Sequence, residues 1–347
     1  MTIHEKYMHR CLQLATLGKG FVSPNPMVGA VLVYDHEIIG EGYHMQFGQA
    51  HAEVNCINSV APMHQHLIKE STLYVSLEPC NHFGKTPPCS HLIVEQKIKQ
   101  VVVGCIDTFN KVNGTGIAYL KQHGVDVITN VLEYECRAIN KYFFYYNTNK
   151  LPYIILKFAE TADGIIGNFS NERLLISNPI TNILVDAWRQ EVDAIFVGKN
   201  TVIKDNPTLI TKHHSKRKQV RMFVDDDLEV GEASKMYNDK AETFVFNLQK
   251  TTSVNNIHFV QYSKSHLYKA FIELCYKQGI QSVLIEGGTK ILQFFIDNNW
   301  FNECRVITNS STFNSNGIKS PVLKNHDLIQ KISVQNDTIS IYKNATI

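Results

Sequence analysis

One imidazole, one carboxylate and two thiols bound the stretch from His51 to Cys89. It opens His51-Ala52-Glu53 and closes Glu78-Pro79-Cys80-Asn81-His82-Phe83-Gly84-Lys85-Thr86-Pro87-Pro88-Cys89. His51, Cys80 and Cys89 can form three legs of a tetrahedral zinc site. Three protein ligands leave the fourth position to water, which separates catalytic zinc from closed structural zinc. Zinc lowers the pKa of that water to about 7 and so makes a nucleophile at neutral pH. Glu53, two residues from His51, is placed to shuttle protons without being a ligand. Neither half carries this chemistry alone, since buried cysteines often serve only packing.

The surrounding pattern predicts the elements that must position these groups. Thr2 and Glu5 read as a capping box. Tyr7, Met8, Cys11, Leu12 and Ala15 recur at helical spacing, and Gly18 and Gly20 are expected to end that helix. In Ser23-Pro24-Asn25-Pro26-Met27-Val28-Gly29 two prolines fix the backbone around Asn25. This is either an ordinary turn or a rigid mount for a side-chain amide. Strands are expected at 28–33 and 38–43 with a turn at Asp35-His36, and His44 follows the second. A helix from about Ala50 to Val60 carries His51 and Glu53 on its first turn. A strand over 72–77 ends at Glu78-Pro79-Cys80, and Pro88-Cys89 starts the next helix. The three ligands thus stand beyond strand ends, where open α/β sheets place their sites. A strand at 101–105, a helix near 118–122, a strand at 125–128 and an amphipathic stretch over 132–145 continue the alternation. The segment 147–150, without periodicity and just before Pro152, reads as a linker.

From Leu151 the pattern restarts. Strands are expected at 153–158, 194–197, 220–224, 243–246 and 282–286, and helices over 179–192 and 267–278. Residues 201–209 read as a polar turn. Gly287-Gly288 then opens another helix. Such glycines either make a plain turn or let the backbone approach a phosphate at a helix N-terminus.

The chain has 347 residues, beyond the roughly 250–300 at which single cores stop growing, so two domains are expected, 1–147 and 151–347. With 44% hydrophobic and 19% charged residues it has the composition of a globular protein. The net charge of +2 gives no polycation field, so a nucleic-acid partner is not expected. No apolar run approaches the ~20 residues of a membrane span, and the N-terminus lacks the form of a signal peptide. Eight cysteines in this length do not suggest a disulfide scaffold, and zinc-bound thiolates suit the reducing cytoplasm.

H-x-E with a later P-C-x-x-C marks zinc deaminases that act on nucleobases; here eight residues separate the cysteines, so the match is to a variant. With Pro24-Asn25-Pro26-x-Val28-Gly29, the first half resembles the deaminase half of the bifunctional deaminase/reductase family of bacterial riboflavin biosynthesis. The resemblance implies one Zn2+ per chain on His51, Cys80 and Cys89, Glu53 as the catalytic proton shuttle, and substrate held by Asn25, His44, His82 and Lys85. The implied fold is a cytidine-deaminase-like three-layer α/β/α domain followed by a dihydrofolate-reductase-like α/β domain.

The second half resembles the reductase of the same family in Pro152-Tyr153 with Leu156-Lys157, Asp163-Gly164, Arg189, Thr201 with Asp205-Asn206-Pro207, and Glu286-Gly287-Gly288-Thr289. The resemblance implies NADPH bound by Ala159, Thr201, Asp205, Gly287, Gly288 and Thr289. Lys157, Arg189, Leu209, Lys212 and Glu286 would meet the ribose phosphate. Where the family shows Ser-x-Trp-Ile-Thr, this chain has Arg173-Leu174-Leu175-Ile176-Ser177. Lys212 replaces an arginine and so loses bidentate phosphate recognition. Residues 309–316 replace a more apolar stretch. The implied activity is hydrolytic deamination of 2,5-diamino-6-ribosylamino-4(3H)-pyrimidinone 5′-phosphate, then reduction of its ribosyl group to ribityl. The partners expected are this small phosphoribosyl pyrimidine and a second copy of the chain, with no nucleic acid and no membrane. Three other readings remain: a nucleoside or tRNA deaminase, a deaminase whose reductase half has lost turnover, and a structural zinc module closed by His82 or His44.

Overall fold

The capping box sets where the first helix begins. Thr2 Oγ1 accepts from the Glu5 N–H at 3.2 Å and Glu5 Oε2 accepts from the Thr2 N–H at 2.7 Å, an arrangement that contributes about 1 kcal/mol. Helix α1 (Ile3–Thr16) follows. It stops two residues short of Gly18, with Leu17 as its C-cap, so neither glycine is the cap. The computed structural model describes residues 1–83, 87–107, 114–170, 174–211, 219–238 and 240–346. Lys85, Arg173 and Lys212 lie outside the described residues. By contact, the chain divides into two units, Met1–Lys150 and Leu151–Ile347.

In the first unit β1 (Gly29–Tyr34) and β2 (Glu37–Tyr43) form a hairpin whose turn residues, Asp35 and His36, both take positive φ, as a two-residue hairpin turn demands. Then come α2 (Ala52–Asn58), β3 (Thr72–Leu77), α3 (Cys89–Glu95), β4 (Gln100–Cys105), α4 (Thr115–Gln122), β5 (Asp126–Ile128), α5 (Glu133–Ile139) and α6 (Lys141–Asn149). The sheet order is β2-β1-β3-β4-β5. Alternation along the strands sorts its two faces. Ala30, Leu32, Leu73, Val75, Val101 and Val103 pack with Ala52 and Cys56 of α2, Ile93 of α3 and Leu120 of α4. Val31, Val33, Tyr74 and Val102 pack with Tyr7, Met8 and Cys11 of α1, Cys136 of α5 and Phe144 of α6. The result is three layers, α/β/α.

Three expectations change here. Helix α2 begins at Ala52, so His51 is its N-cap instead of a residue of its first turn. The amphipathic stretch over 132–145 is two helices broken at Asn140. Residues 147–149, expected as linker, are the last turn of α6; Lys150, at φ 59°, ends it.

The second unit runs β6 (Tyr153–Thr161), β7 (Ile165–Asn168), α7 (Pro179–Glu191), β8 (Ala194–Gly198), α8 (Lys199–Asp205), β9 (Val220–Val224), β10 (Thr243–Asn247), β11 (Thr252–Val254), β12 (Ile257–Gln261), α9 (Leu267–Gln278), β13 (Ser282–Glu286), α10 (Thr289–Asp297), β14 (Glu303–Asn309), β15 (Gly317–Lys319), β16 (His326–Val334) and β17 (Asp337–Asn344). Ten strands form one sheet in the order β11-β12-β10-β9-β8-β13-β6-β14-β17-β16. It is parallel from β12 through β14 and antiparallel at both margins. The central strands are buried on both faces, hence their near-continuous apolar runs. Phe196, Phe271 and Phe295 centre the core, the first two stacked at 5.4 Å between centroids. Residues 201–205, expected within a polar turn, are instead the body of α8, which ends where Asn206 turns left-handed at φ 37°.

Arg221 was not legible as a keystone. Its guanidinium is fully buried and donates to the carbonyls of Thr208, Lys235, Asn238 and Ala241, to Asn238 Oδ1 and to Thr243 Oγ1. Burial pulls its pKa down to about 10. It ties Thr208, after α8, to Lys235, Asn238 and Ala241. Among the described residues no helix is long and apolar enough to cross a membrane.

Gly29 shows how tightly α1 lies on β1. A Cβ there would stand 2.0 Å from the Cys11 carbonyl oxygen and 2.8 Å from the Ala15 nitrogen, both backbone atoms that cannot step aside. Gly29→Ala is therefore expected to destabilise the chain by about 1–3 kcal/mol or more, read as a lower midpoint in urea unfolding. An unchanged midpoint would show that α1 shifts freely on the sheet.

Candidate functional site

The three expected ligands converge. His51 Nδ1 lies 3.5 Å from Cys80 Sγ and 3.4 Å from Cys89 Sγ, and the three ligand atoms all lie within 4.8 Å of one another. With Zn–S near 2.3 Å and Zn–N near 2.0 Å, a tetrahedron has N–S edges of about 3.5 Å, so the donor set fits zinc. Each ligand comes from a different kind of position. His51 caps α2, Cys80 follows β3 by three residues, and Cys89 is the first residue of α3. The Cys89 thiol, and after it His51, draw the Cys80 pKa down to about 4, while the contact with Cys80 and burial push Cys89 up. Contact with Cys80 also raises His51 to about 9. Among the described residues no fourth His, Cys, Asp or Glu joins the group, which counts against a closed structural zinc.

Glu53 is 3% exposed, and burial pushes its carboxyl up to about 7 while the His51 charge partly offsets this. It is within hydrogen-bond reach of the Cys89 thiol. His44, also buried, lies edge-on to His51 with ring centroids 5.4 Å apart. Its Nδ1 is 3.0 Å from the Ala50 carbonyl, so Nδ1 carries the proton and donates. Nε2 then accepts from Asn25 Nδ2 at 3.1 Å. Burial, and in smaller part the charge of His51, keeps this imidazole neutral below its ordinary pKa. Asn25 and His44 are thus brought together beside His51. His82 Nδ1 is buried and has no hydrogen-bond partner among the described residues.

Sequence reading assigned no role to Glu78, which precedes Pro79-Cys80. Its buried carboxylate accepts four backbone N–H groups: Gly114 at 2.9 Å and Asp107 at 3.3 Å on one oxygen, Gly116 at 2.9 Å and Ile117 at 3.3 Å on the other. It serves as the missing side-chain cap of α4, satisfying first-turn donors that otherwise have no partner. Asn81 Nδ2 donates to the Thr115 carbonyl, and the Ser90 N–H to the Cys80 carbonyl. The Cys80 loop is therefore held by α4 on one side and α3 on the other. The signal was a carboxylate ending a buried strand with no cation near it in sequence.

In the second unit two clusters form. Arg189 Nε and Nη2 donate to the two Glu286 oxygens at 2.7 and 2.8 Å, and Lys157 stands in register opposite Glu286 on the adjacent strand. Burial pushes the Glu286 carboxyl up, but Arg189 and then Lys157 bring it below its usual value. Beside this, the Gly288 N–H donates to Thr201 Oγ1 at 3.1 Å, and Gly287, at φ 116°, has no room for a side chain because a Cβ would lie 2.5 Å from that oxygen. Gly288 caps α10 without a side chain, leaving the first-turn N–H groups open to a phosphate. That cradle fits a dinucleotide. Asp205 is one turn from Thr201 on α8. Leu209 is buried at φ 50°, and Thr289 Oγ1 is spent on the Lys319 carbonyl. Ala159 lies on β6 opposite Ile307. Leu175, where the family has tryptophan, is 73% exposed.

Glu78→Gln would turn an amide N–H2 toward donors. It is expected to lower zinc affinity roughly 10–100-fold, the usual cost of losing an outer-shell partner, in competition with a chromophoric chelator, and to speed hydrogen exchange at Gly116 and Ile117. Unchanged affinity would mean that the Cys80 loop holds itself.

Comparison with known proteins agrees with both halves. Residues 1–105 match the cytidine and deoxycytidylate deaminase zinc-binding region, and residues 152–316 match the RibD C-terminal domain. The riboflavin biosynthesis protein RibD of Aquifex aeolicus is 36% identical over 310 residues, 88% of this chain and 86% of that protein. That of Bacillus amyloliquefaciens is 34% identical over 312 residues, 87% and 83%. A crystal structure from Thermotoga maritima, of a diaminohydroxyphosphoribosylaminopyrimidine deaminase/5-amino-6-(5-phosphoribosylamino)uracil reductase, superposes with a TM-score of 0.90 at 32% identity over 99% of both chains. Acinetobacter baumannii RibD gives 0.87 at 26% identity over 98% of both. The first unit has the cytidine-deaminase-like fold and the second the dihydrofolate-reductase-like fold of that reductase. The chain belongs to the RibD family of riboflavin biosynthesis enzymes, which join a zinc-dependent deaminase to an NADPH-dependent reductase in one polypeptide.

Proposed function

We propose that this chain deaminates 2,5-diamino-6-ribosylamino-4(3H)-pyrimidinone 5′-phosphate to 5-amino-6-(5-phosphoribosylamino)uracil and then reduces the ribosyl group to ribityl. The observation that carries the first step is a carboxyl, Glu53, buried against a ligand set that fits zinc. His51 Nδ1, Cys80 Sγ and Cys89 Sγ would hold the zinc, which would supply a water whose pKa is near 7. Glu53, buried beside that ligand set, would hold the proton given up by the attacking water and pass protons to the ring nitrogen and the departing amine; in the net reaction one C–O bond forms, one C–N bond breaks and ammonia leaves. A carboxyl with a pKa near 7 exchanges protons in both directions at neutral pH. Asn25, with its N–H2 committed to His44, presents Oδ1 to a substrate N–H. His82 Nδ1, buried without a partner among the described residues, is assigned to the pyrimidine, and Lys85 to the phosphate.

In the second unit NADPH supplies a hydride to the sugar C1. Gly287, Gly288 and Thr201 form the cradle for its phosphates, Asp205 lies on the same helix face as Thr201, and Ala159 and Thr289 are assigned to its flanks. Glu286 orients Arg189, whose Nη1 is left for the substrate phosphate beside Lys157; Leu209 and Lys212 are assigned to the same substrate. We place the boundary between the activities at about residue 150. We place the enzyme in the reducing cytoplasm, where the thiols at Cys80 and Cys89 stay available to the metal, and read it as a homo-oligomer, the common state of such enzymes.

Ammonia release from the diaminopyrimidinone ribosyl phosphate, followed with and without NADPH, tests this. Wild type should release ammonia without NADPH and oxidise NADPH only after deamination. Glu53→Gln should lower ammonia release by roughly 100-fold or more yet still oxidise NADPH when given the deaminated intermediate. Ammonia release without NADPH oxidation would remove the reductase reading. No ammonia from zinc-loaded wild type would remove the deaminase reading.

A further inference from the structure

The segment that carries Asn25 has few backbone N–H groups. Pro24 and Pro26 have no N–H, so the stretch Pro24-Asn25-Pro26-Met27 has donors only at Asn25 and Met27. The Asn25 N–H closes a local turn onto the Val22 carbonyl at 2.9 Å. The Met27 N–H goes to a residue 113 positions away: it donates to Asn140 Oδ1 at 2.8 Å, while Asn140 Nδ2 donates to the Met27 carbonyl at 2.8 Å. One side-chain amide thus pairs both ways with one backbone residue, as a neighbouring strand would. Asn140 is 4% exposed and sits at the break between α5 and α6, four residues after Cys136 and four before Phe144, which both face the core. A polar side chain at that core-facing position adds nothing to apolar packing. Its amide is spent on Met27.

We propose that Asn140 is a positioning residue for the deaminase: it fixes the backbone at Met27 and thereby the place of the Asn25 amide next to His44 and His51. This rests on the reading of Asn25 as a substrate contact. Asn140 touches no reacting atom, so its loss should weaken substrate binding without slowing the chemistry once substrate is bound, the signature of an interaction equal in ground and transition states.

The test is a double-mutant cycle on the full-length, zinc-loaded chain, with ammonia release giving KM and kcat for the diaminopyrimidinone ribosyl phosphate. Asn140→Asp keeps the acceptor for the Met27 N–H and sets a carboxylate against the Met27 carbonyl. It should raise KM roughly 10–100-fold, the scale of a small misplacement in a site, with kcat within about threefold. Zinc content and NADPH oxidation with the deaminated intermediate should be unchanged, which a general loss of fold would not allow. Asn25→Ala should raise KM comparably, and the double variant should be no worse than Asn25→Ala alone, because one residue acts through the other. Unchanged KM in Asn140→Asp while Asn25→Ala is impaired, or effects that multiply in the double variant, overturns the proposal and leaves the Asn25 reading standing. Normal KM in Asn25→Ala removes that reading and the proposal with it. If Asn140→Asp loses zinc or NADPH oxidation, Asn140→Ser, smaller and uncharged, takes its place under the same criteria.

Discussion

Holding two sulfurs and an imidazole at 3.4–3.5 Å before any metal arrives is the constraint on which the first unit depends. Such groups repel one another or share protons unless the backbone fixes them, because each gains more from water than from its neighbours. The scaffold meets this with rigid starting points. His51 and Cys89 stand at the N-terminal ends of α2 and α3, where backbone N–H groups favour negative charge. Both helices press Cys56 and Ile93 into the same side of the sheet. Cys80 has no helix of its own, and Glu78 and Ser90 clamp its loop from two sides.

The pattern of types and spacings made much of this legible. The strand over 72–77 falls where periodicity put it, and so do the ends of the helix over 267–278. Those segments are decided by local alternation and by turn residues, which a sequence states directly. Glu78 and Asn140 were not legible as anchors because their partners are backbone groups 29 to 39 and 113 residues away. A backbone N–H has no letter in the sequence. Residues 201–205 read as a turn because Asp205-Asn206-Pro207 is turn chemistry; the helix that precedes it is set by Val202 packing into the core. Strand β16 has all but its last residue exposed, so no burial pattern marked it, and its place comes from pairing with β17.

The departures from the family motif fall unevenly on the second unit. Leu175 points to solvent, so whatever a tryptophan supplies there is absent from this chain. The polar stretch from Asn309 is well accommodated. Asn309 is buried, accepts from the Ser311 and Thr312 N–H groups, and donates to the Ile176 carbonyl and to Asp337. It thus closes a turn and ties β14 to the segment before α7. An apolar sequence is not needed where one amide satisfies the turn.

Glu286 is a buried acid in the pocket proposed for a phosphate. Glu286 alone would repel that anion. Arg189 forked onto it and Lys157 opposite offset that charge, while Asp186 on α7 also lies close enough to act on Arg189. The acid's contribution is geometric: two hydrogen bonds remove the rotational freedom of a long guanidinium side chain, freedom that binding would otherwise have to remove at the moment a ligand arrives. The same logic runs through His44 and Asn25 in the first unit, where one polar group is spent to aim another. In both proposed sites one polar group, Arg189 or Asn25, is thus fixed by a neighbour that the fold already holds in place.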